Sequence, residues 1–268
     1  MPDFSVPPNP SVTFKVRHED ADLLVVDKPA RVATQPGLGH ETDSLLSGLF
    51  ARWGVPLQRL GKARDFGLLH RLDRGTSGLL IVALTPEAYD SMRAAFEGRR
   101  IRKYYWAIVE GVPRKTEEVI NKPILEAASK ERRLSKTARI SGSGKPALTA
   151  YRVLATSPGA SVVECRAITG RLHQVRAHLS AIGCPVLGDG LYGHERTRAA
   201  SPRLALHAHR IAFEHPRTGE TIDVSSPFPR ELRGVLGHFG LPRPDRPASG
   251  GVEGLGQGED DAVGEQEA

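Results

Sequence analysis

The sequence predicts an α+β fold, with a mixed, largely antiparallel central sheet flanked by helices and loops. Many short segments alternate apolar and polar residues with the period of two that is typical of half-buried strands. Only a few segments combine helical periodicity with recognisable start and stop residues. No convincing linker interrupts the chain before the tail, so a single domain is the simplest organisation.

The predicted strands run from the N-terminal region to about residue 213. GLLIVAL, residues 78–84, is a continuous apolar run rich in branched residues, which is typical of a buried strand. The basic, turn-rich segment 128–146 is expected to form a hairpin or a loop. The other predicted strands are VTFKV, LLVVD, KYYWAIVEG, PALTAYRVLAT, SVVECRAI and LALHAHRIAF.

Three helices are predicted from apolar spacing and capping residues. DSLLSGLFARWG is an amphipathic helix expected to end at Gly54. The second starts with Thr85 as N-cap, has Pro86 in its first turn and stops at Gly98. The third is expected to be capped by Thr169, to run to Ile182 and to close at the next glycine.

Charge separates the folded part of the chain from its end. From Arg243 onward the chain holds seven acids and two bases and few bulky apolar residues, so we expect a disordered acidic tail. Residues 1–242 then carry 35 Lys and Arg against 24 Asp and Glu, a net charge of +11, which favours a polyanionic partner such as nucleic acid. No run is long enough to span a bilayer and the N-terminus lacks a secretory pattern, so we expect a cytoplasmic protein.

The segment HRLDRGTSG, residues 70–78, places Asp73 between two arginines at the start of the predicted buried strand. One interpretation is a turn in which Asp73 caps main-chain N–H groups and the arginines are solvated. The other is a carboxylate kept ionised by a compensating cation, which suits a nucleophile or a general base. Arg176, on the edge of the apolar stripe of the third helix, is a candidate for that cation.

The segment RRIRKYYWAIVEG, residues 99–111, sets four bases before three aromatic residues on an alternating strand. Tyr105 is expected to face away from Tyr104 and Trp106, because successive side chains of a strand point to opposite faces. Bases followed by aromatic residues are typical of a nucleic-acid site. Core packing explains two of the three rings equally well.

Metal and nucleotide chemistry find little support in the sequence. The histidines lack the helical spacing with a Glu that marks a zinc hydrolase, and no phosphate-binding glycine loop is present. Cys165 and Cys184 have no metal-ligand spacing and are expected to be reduced. A site without metal or cofactor is therefore favoured by elimination.

Together these segments resemble the RluA-type family of pseudouridine synthases. LLVVDKPARVATQPG resembles the family's opening segment, although Thr34-Gln35-Pro36 departs from the usual histidine near that proline. HRLDRGTSGLLIVAL resembles the signature around the catalytic aspartate, and KYYWAIVEG the tyrosine motif. TGRLHQVRAHLSAIGCPVLGDGLYG and RLALHAHRIAFEHPRTGETI resemble the last two motifs. The match spans roughly residues 12–240, with the five motifs in the family's order.

The resemblance implies an enzyme that isomerises uridine in ribosomal or transfer RNA, without cofactor or metal. Asp73 would be the nucleophile acting on a flipped-out uridine, attacking either the ribose or the uracil. Arg176 would pair with Asp73, and Tyr105 would pack on the uracil. RNA contacts are expected from a further set of motif residues: His70, Arg71, Thr76, Arg171, His173, Gln174 and Leu206.

The implied organisation is an N-terminal extension over residues 1–11, a catalytic domain over 12–242 and the acidic tail over 243–268. The family's N-terminal RNA-binding domain is expected to be lacking, so that RNA would be selected by the catalytic domain of a monomer. A non-catalytic RNA-binding or ribosome-assembly protein with the same fold is the main alternative, and a metal-dependent hydrolase that uses the histidines is another.

Overall fold

The structure is a computed structural model that describes residues 4–128 and 136–244. The described residues form two compact units. Unit 1 contains those of Met1–Ile101 and Ala208–Pro227, and unit 2 those of Arg102–His207 and Phe228–Ala268. The predicted acidic tail, apart from its first two residues, lies outside the described part of the chain.

The elements follow one another along the chain as short strands with a few helices between them. The strands are β1 (Lys15–Glu19), β2 (Leu23–Lys28), β3 (Ser77–Ala83), β4 (Arg102–Glu110), β5 (Glu117–Asn121), β6 (Ile124–Ala128), β7 (Lys136–Ile140), β8 (Leu148–Ser157), β9 (Ala160–Ala167), β10 (Leu206–Glu214) and β11 (Thr221–Ser225). The helices are α1 (Leu45–Leu60), α2 (Pro86–Glu97), α3 (Gln174–Ala181), α4 (Glu195–Ala199) and α5 (Arg233–His238), with short 3-10 helices at Lys62–Gly67 and Arg230–Leu232.

In unit 1 the strand order is β1-β2-β3-β10-β11, where β10 belongs to this unit from Ala208 onward. β2 pairs antiparallel with both β1 and β3, and β10 pairs antiparallel with β11. Every residue of β3 is buried, as its continuous apolar run predicts. The N-cap of α2 is also confirmed, since the Thr85 side chain accepts the Ala88 N–H.

Helix α1 does not end at Gly54 as predicted. It continues to Leu60 through a kink at Trp53 and past Pro56. Gly54 instead allows close packing, because a Cβ there would lie 2.6 Å from atoms of the Phe4 ring. That ring also packs edge-on against Phe50, so part of the N-terminal extension lies along this helix.

In unit 2 the strand order is β4-β9-β8-β5, and each neighbouring pair is antiparallel. β6 and β7 form a separate antiparallel hairpin. The segment 128–146 therefore contains the predicted hairpin, whose connection at 129–135 lies outside the described residues. Tyr104 and Trp106 of β4 are buried and Tyr105 is half-buried, in agreement with the predicted alternation.

Helix α3 begins at Gln174, so the prediction that Thr169 caps it is wrong. The Thr169 hydroxyl instead accepts the Leu148 N–H at 3.0 Å and donates to Gln174 Oε1 at 2.7 Å. His173, directly before the helix, has a left-handed backbone with φ of 51°. A contact with a distant strand therefore outweighs the local capping preference.

Cys165 and Cys184 are both buried free thiols, as expected. Within residues 4–128 and 136–244, no helix combines the length and the apolar character needed to cross a membrane.

Candidate active site

Asp73 lies in the turn that leads into β3 of unit 1, where it is half-buried. Its carbonyl accepts the Thr76 N–H at 3.0 Å, which closes the turn. Asp73 is preceded in sequence by the exposed Arg71 and followed by Thr76, whose side chain is buried. After the turn, Gly78 has φ of 120°, and a Cβ there would lie 2.2 Å from the Ala208 carbonyl oxygen. A glycine is therefore required where this end of β3 meets β10.

His70 anchors the other end of the same turn. Its Nε2 accepts the Ile81 N–H at 3.1 Å, and its ring lies 5.0 Å from that of Phe96. A main-chain amide of β3 is thereby paired with a side chain rather than with another strand. The predicted RNA-contact residue His70 therefore also has a defined structural function.

The main chain before Asp73 is held by a residue that the sequence reasoning did not place in the site. The Thr34 hydroxyl donates to the Leu72 carbonyl at 2.7 Å and accepts the Leu72 N–H at 3.2 Å. The only sequence signal was that Thr34 lies in the segment that departs from the family pattern.

In unit 2, Arg176 is buried on α3 and forms a bidentate ion pair with Asp189. Its Nε and Nη2 donate to the two carboxylate oxygens at 2.8 and 2.9 Å. Burial alone would raise the pKa of Asp189, but the Arg176 guanidinium and the N–H groups of Leu191 and Tyr192 lower it below its usual value. Asp189 is thus ionised and compensates the arginine. Asp189 lies in the motif segment LGDGLYG, but no sequence pattern near it indicated that it would pair with Arg176.

Tyr192 completes this group. Its ring lies under the Arg176 guanidinium, 5.1 Å from centroid to Cζ. Its hydroxyl accepts the Ala138 N–H of β7 and lies 2.9 Å from His173 Nδ1. The half-buried His173 is therefore connected through Tyr192 to the β6–β7 hairpin.

Gln174 is buried, and its amide is used inside the protein. Its Nε2 donates to the Leu148 carbonyl at 2.8 Å and to the Thr149 hydroxyl at 2.9 Å, and its Oε1 accepts from Thr169 and from the Arg171 N–H. This geometry favours a structural function for Gln174 over contact with RNA.

His178 continues the same network and is fully buried. Its Nδ1 lies 2.9 Å from the Thr149 hydroxyl and its Nε2 2.9 Å from the Lys122 carbonyl. A carbonyl can only accept, so Nε2 carries the proton and Nδ1 accepts from Thr149. Burial lowers the pKa of His178 to about 4, which keeps the ring neutral at pH 7.

Tyr105 and Lys103 lie two residues apart on β4 and therefore on the same face. Tyr105 packs against the unit 2 core while remaining half-buried. Burial leaves the Lys103 ammonium poorly hydrated, which lowers its pKa to about 8.

The remaining predicted contact residues of unit 2 differ in exposure. The half-buried Arg171 donates from Nε to the Pro146 carbonyl at 3.0 Å. Leu206, at the start of β10, belongs to the buried core of the unit. The predicted site residues thus fall into two groups, one in each unit. The pairing of Asp73 with Arg176 would join these groups and stays a prediction.

Within residues 4–128 and 136–244, one group of side chains has the spacing of a metal site: Asp20, Asp22 and His215 in unit 1. His215 Nδ1 accepts the N–H groups of Arg217 and Thr218, so its Nε2 carries a proton towards Asp20, 3.3 Å away. Arg217 pairs with Asp22 at 2.7 Å. The Arg217 guanidinium and the proton on His215 Nε2 thus take the positions that a metal ion would need, so this group is poorly suited to bind one.

The family model described as RNA pseudouridylate synthase matches residues 22–181 of this chain. The chain belongs to this family. Ribosomal large subunit pseudouridine synthase D of Zymomonas mobilis is 34% identical, over 83% of this chain and 71% of the relative. An uncharacterized RNA pseudouridine synthase of Bacillus subtilis is 36% identical over 82% of this chain and 71% of that protein. These relatives confirm the RluA-type family that the five motifs indicated.

Solved structures of the family have the same fold. Human RNA pseudouridylate synthase domain containing 4 has a TM-score of 0.66 and 26% identity, and covers 86% of this chain and 94% of its own. Human RNA pseudouridylate synthase domain containing 1 has a TM-score of 0.65 and 29% identity, with coverage of 90% and 100%. The α+β fold class is confirmed, and the protein is an RNA pseudouridine synthase, an isomerase that acts on RNA. The findings favour this enzyme over the non-catalytic RNA-binding protein.

Proposed function

We propose that this pseudouridine synthase uses Asp73 as its nucleophile on uridines of large-subunit ribosomal RNA. The observation that carries the proposal is the turn around Asp73, whose main chain is hydrogen-bonded at Leu72 and at Asp73 itself. A carboxylate on a fixed main chain, half-buried at the start of a buried strand, has a defined direction. A nucleophile requires that orientation.

The reaction rearranges bonds within one nucleotide and transfers no electrons to or from it. The bond between N1 of uracil and C1′ of ribose breaks, and a bond between C5 and C1′ forms. The proton on C5 leaves, and N1 gains one. An ionised carboxylate can form the transient bond that this exchange needs, either to the ribose or to the uracil ring, once the nucleotide is flipped out of its stack.

Residues of unit 2 serve this step in the proposal. Tyr105 packs on the uracil and takes part in removing the C5 proton. Arg176 compensates the Asp73 carboxylate while retaining Asp189, which its head group can do because a guanidinium has five N–H donors. Arg71, exposed beside the nucleophile, contacts the displaced RNA.

The substrate class follows from the relatives and from charge. Relatives from Zymomonas mobilis and Nitrosomonas europaea carry names that specify the large ribosomal subunit. The net charge of +11 on residues 1–242 suits a polyanion. We infer that the enzyme acts on that RNA in the cytoplasm, as a monomer and without a metal.

The purified Asp73→Asn variant tests the nucleophile. Asparagine keeps the shape of the side chain but is a poor nucleophile, so we expect no measurable pseudouridine and little change in RNA affinity. Tritium release from RNA labelled at C5 of uridine measures turnover, and filter binding measures affinity. Retained activity would contradict the proposal, and an equal loss of binding and activity would contradict a purely catalytic role.

Site-resolved pseudouridine mapping tests the substrate, with a strain lacking the gene compared with its parent. We expect pseudouridines to disappear from large-subunit ribosomal RNA and to return with the wild-type gene but not with Asp73→Asn. Loss from transfer RNA alone would reassign the substrate. Loss of turnover on treatment with a chelator would contradict the metal-free mechanism. Light scattering tests the oligomeric state, and a dimer would contradict the proposed monomer.

A further inference from the structure

Thr34 uses one hydroxyl to satisfy both main-chain polar groups of Leu72, the residue directly before Asp73. The hydroxyl donates to the Leu72 carbonyl at 2.7 Å and accepts the Leu72 N–H at 3.2 Å. The Thr34 side chain is 4% exposed, so water does not compete for these bonds. The peptide groups on both sides of Leu72 are thus fixed by a residue 38 positions earlier in the chain.

The segment that carries Thr34 is itself held in place. The fully buried Lys28 donates from Nζ to the carbonyls of Pro29 and Val32 at 2.9 and 2.8 Å. At the other end, two N–H groups of the first turn of α1 donate to this segment. The Leu45 N–H donates to the Ala33 carbonyl at 2.8 Å, and the Leu46 N–H to the Thr34 carbonyl at 3.1 Å. The hydroxyl therefore projects from a rigid support rather than from a free loop.

A second pair of bonds joins this segment to the residue after Asp73. The Arg31 N–H donates to the Arg74 carbonyl at 2.6 Å, and Arg74 Nε donates to the Arg31 carbonyl at 3.0 Å. Arg31 adopts φ of 69° to do so, a conformation that a residue with a Cβ adopts at some cost. The residues on both sides of Asp73 are thus bonded to segment 29–34.

We propose that Thr34 is a positioning residue of the pseudouridine synthase reaction, which sets the direction of the Asp73 carboxylate through the main chain of Leu72. The inference rests on the proposed role of Asp73 as nucleophile. A displacement of a reacting group by about 1 Å can reduce a rate by about 10²-fold. Without the hydroxyl, the Leu72 N–H and C=O lose this partner, so the main chain directly before Asp73 can move by such distances although the bonds to Arg74 remain.

The test is single-turnover kinetics of Thr34→Val at saturating RNA, with large-subunit ribosomal RNA labelled at C5 of uridine, prepared from cells that lack the protein. Valine has nearly the shape of threonine but no hydroxyl. We expect the rate of tritium release to fall roughly 10- to 100-fold, with little change in the dissociation constant for that RNA. Thr34→Ser, which keeps the hydroxyl, should restore most of the rate.

Thr85→Val is the matched control, because it is the same substitution elsewhere in unit 1. The Thr85 side chain accepts the Ala88 N–H at the start of α2, so the loss of its hydroxyl destabilises unit 1 without removing a hydrogen bond of segment 29–34 or of Leu72. We expect its rate to equal that of the wild type. A rate loss in Thr85→Val that matches Thr34→Val would show that general destabilisation is the cause, and would overturn the inference.

Asp73→Asn in the same assay separates the two proposals. If it is inactive while folded Thr34→Val turns over at the wild-type rate, the inference about Thr34 is overturned and the proposed function stands. If Asp73→Asn turns over, both are overturned. Should Thr34→Val fail to fold, Thr34→Ser decides, because a folded serine variant with a strongly reduced rate would contradict positioning by the hydroxyl.

Discussion

Asp73 and Arg176 are held by different kinds of contact. The turn of Asp73 is held by hydrogen bonds to its main chain, from Thr34 to Leu72 and from Arg31 to Arg74. Around Arg176 they act on the side chain itself, since both carboxylate oxygens of Asp189 bind the guanidinium. The main-chain bonds of the turn do not involve the Asp73 carboxylate and remain when it is changed, whereas a change at Arg176 removes a structural ion pair.

This difference affects how mutants are interpreted. We expect loss of turnover in Asp73→Asn to report on chemistry, because the main-chain bonds from Thr34 and Arg31 remain. Loss of turnover in Arg176→Ala has two causes, because Asp189 is left buried without its cation. The arginine's contribution to catalysis therefore has to be measured against the cost of breaking its pair with Asp189.

The largest effect on stability is expected from Asp189→Asn. The variant removes the carboxylate that forms the bidentate pair with the buried Arg176 guanidinium, which costs about 3–5 kcal/mol of unfolding free energy. Urea denaturation measures the change. Asp223→Asn is the control, because Arg210 binds Asp223 in the same bidentate geometry at a more exposed position. We expect about 1 kcal/mol or less there, and equal losses would contradict burial as the cause.

A smaller effect is expected from pH, through His178. Its pKa is about 4 in the folded protein, below the value of about 6.5 in the unfolded chain. Below pH 6.5 the unfolded chain binds the extra proton, so stability present at pH 7 is lost as the pH falls towards 4. By pH 4.5 this group alone costs about 2–3 kcal/mol.

The His178→Gln variant isolates that contribution, because a glutamine amide can still donate to Lys122 and accept from Thr149. Urea denaturation at pH 7 and pH 4.5 should show a smaller loss in the variant than in the wild type. Identical pH dependence in the two proteins would show that His178 titrates normally.

The smallest effect is expected at the other anchor of the nucleophile turn. His70→Phe keeps a ring against Phe96 but removes the acceptor for the Ile81 N–H, at a cost of about 1–2 kcal/mol. Thermal and urea denaturation measure the loss. His70→Gln, which offers another acceptor, should lose less; if both variants are equally stable, the bond to Ile81 does not anchor the turn.

Elements whose signals lie within a few residues were predicted well. Thr85 and Pro86 start α2 as expected, and β3 is buried along its whole length. The predicted end of α1 and the predicted start of α3 were wrong, because distant partners decided them. Phe4 packs on Gly54, and Leu148 engages Thr169.

The sequence by itself determined the family, the α+β class and the motif positions of Asp73, Tyr105 and Arg176, because motif spacing and alternation are local properties of the chain. Tertiary structure alone decided that Arg176 pairs with Asp189, that the Gln174 amide is used internally and that Thr34 holds the turn of Asp73. The physical reason is desolvation. A buried polar group must find a partner, and which partner it meets depends on elements brought together from distant parts of the chain.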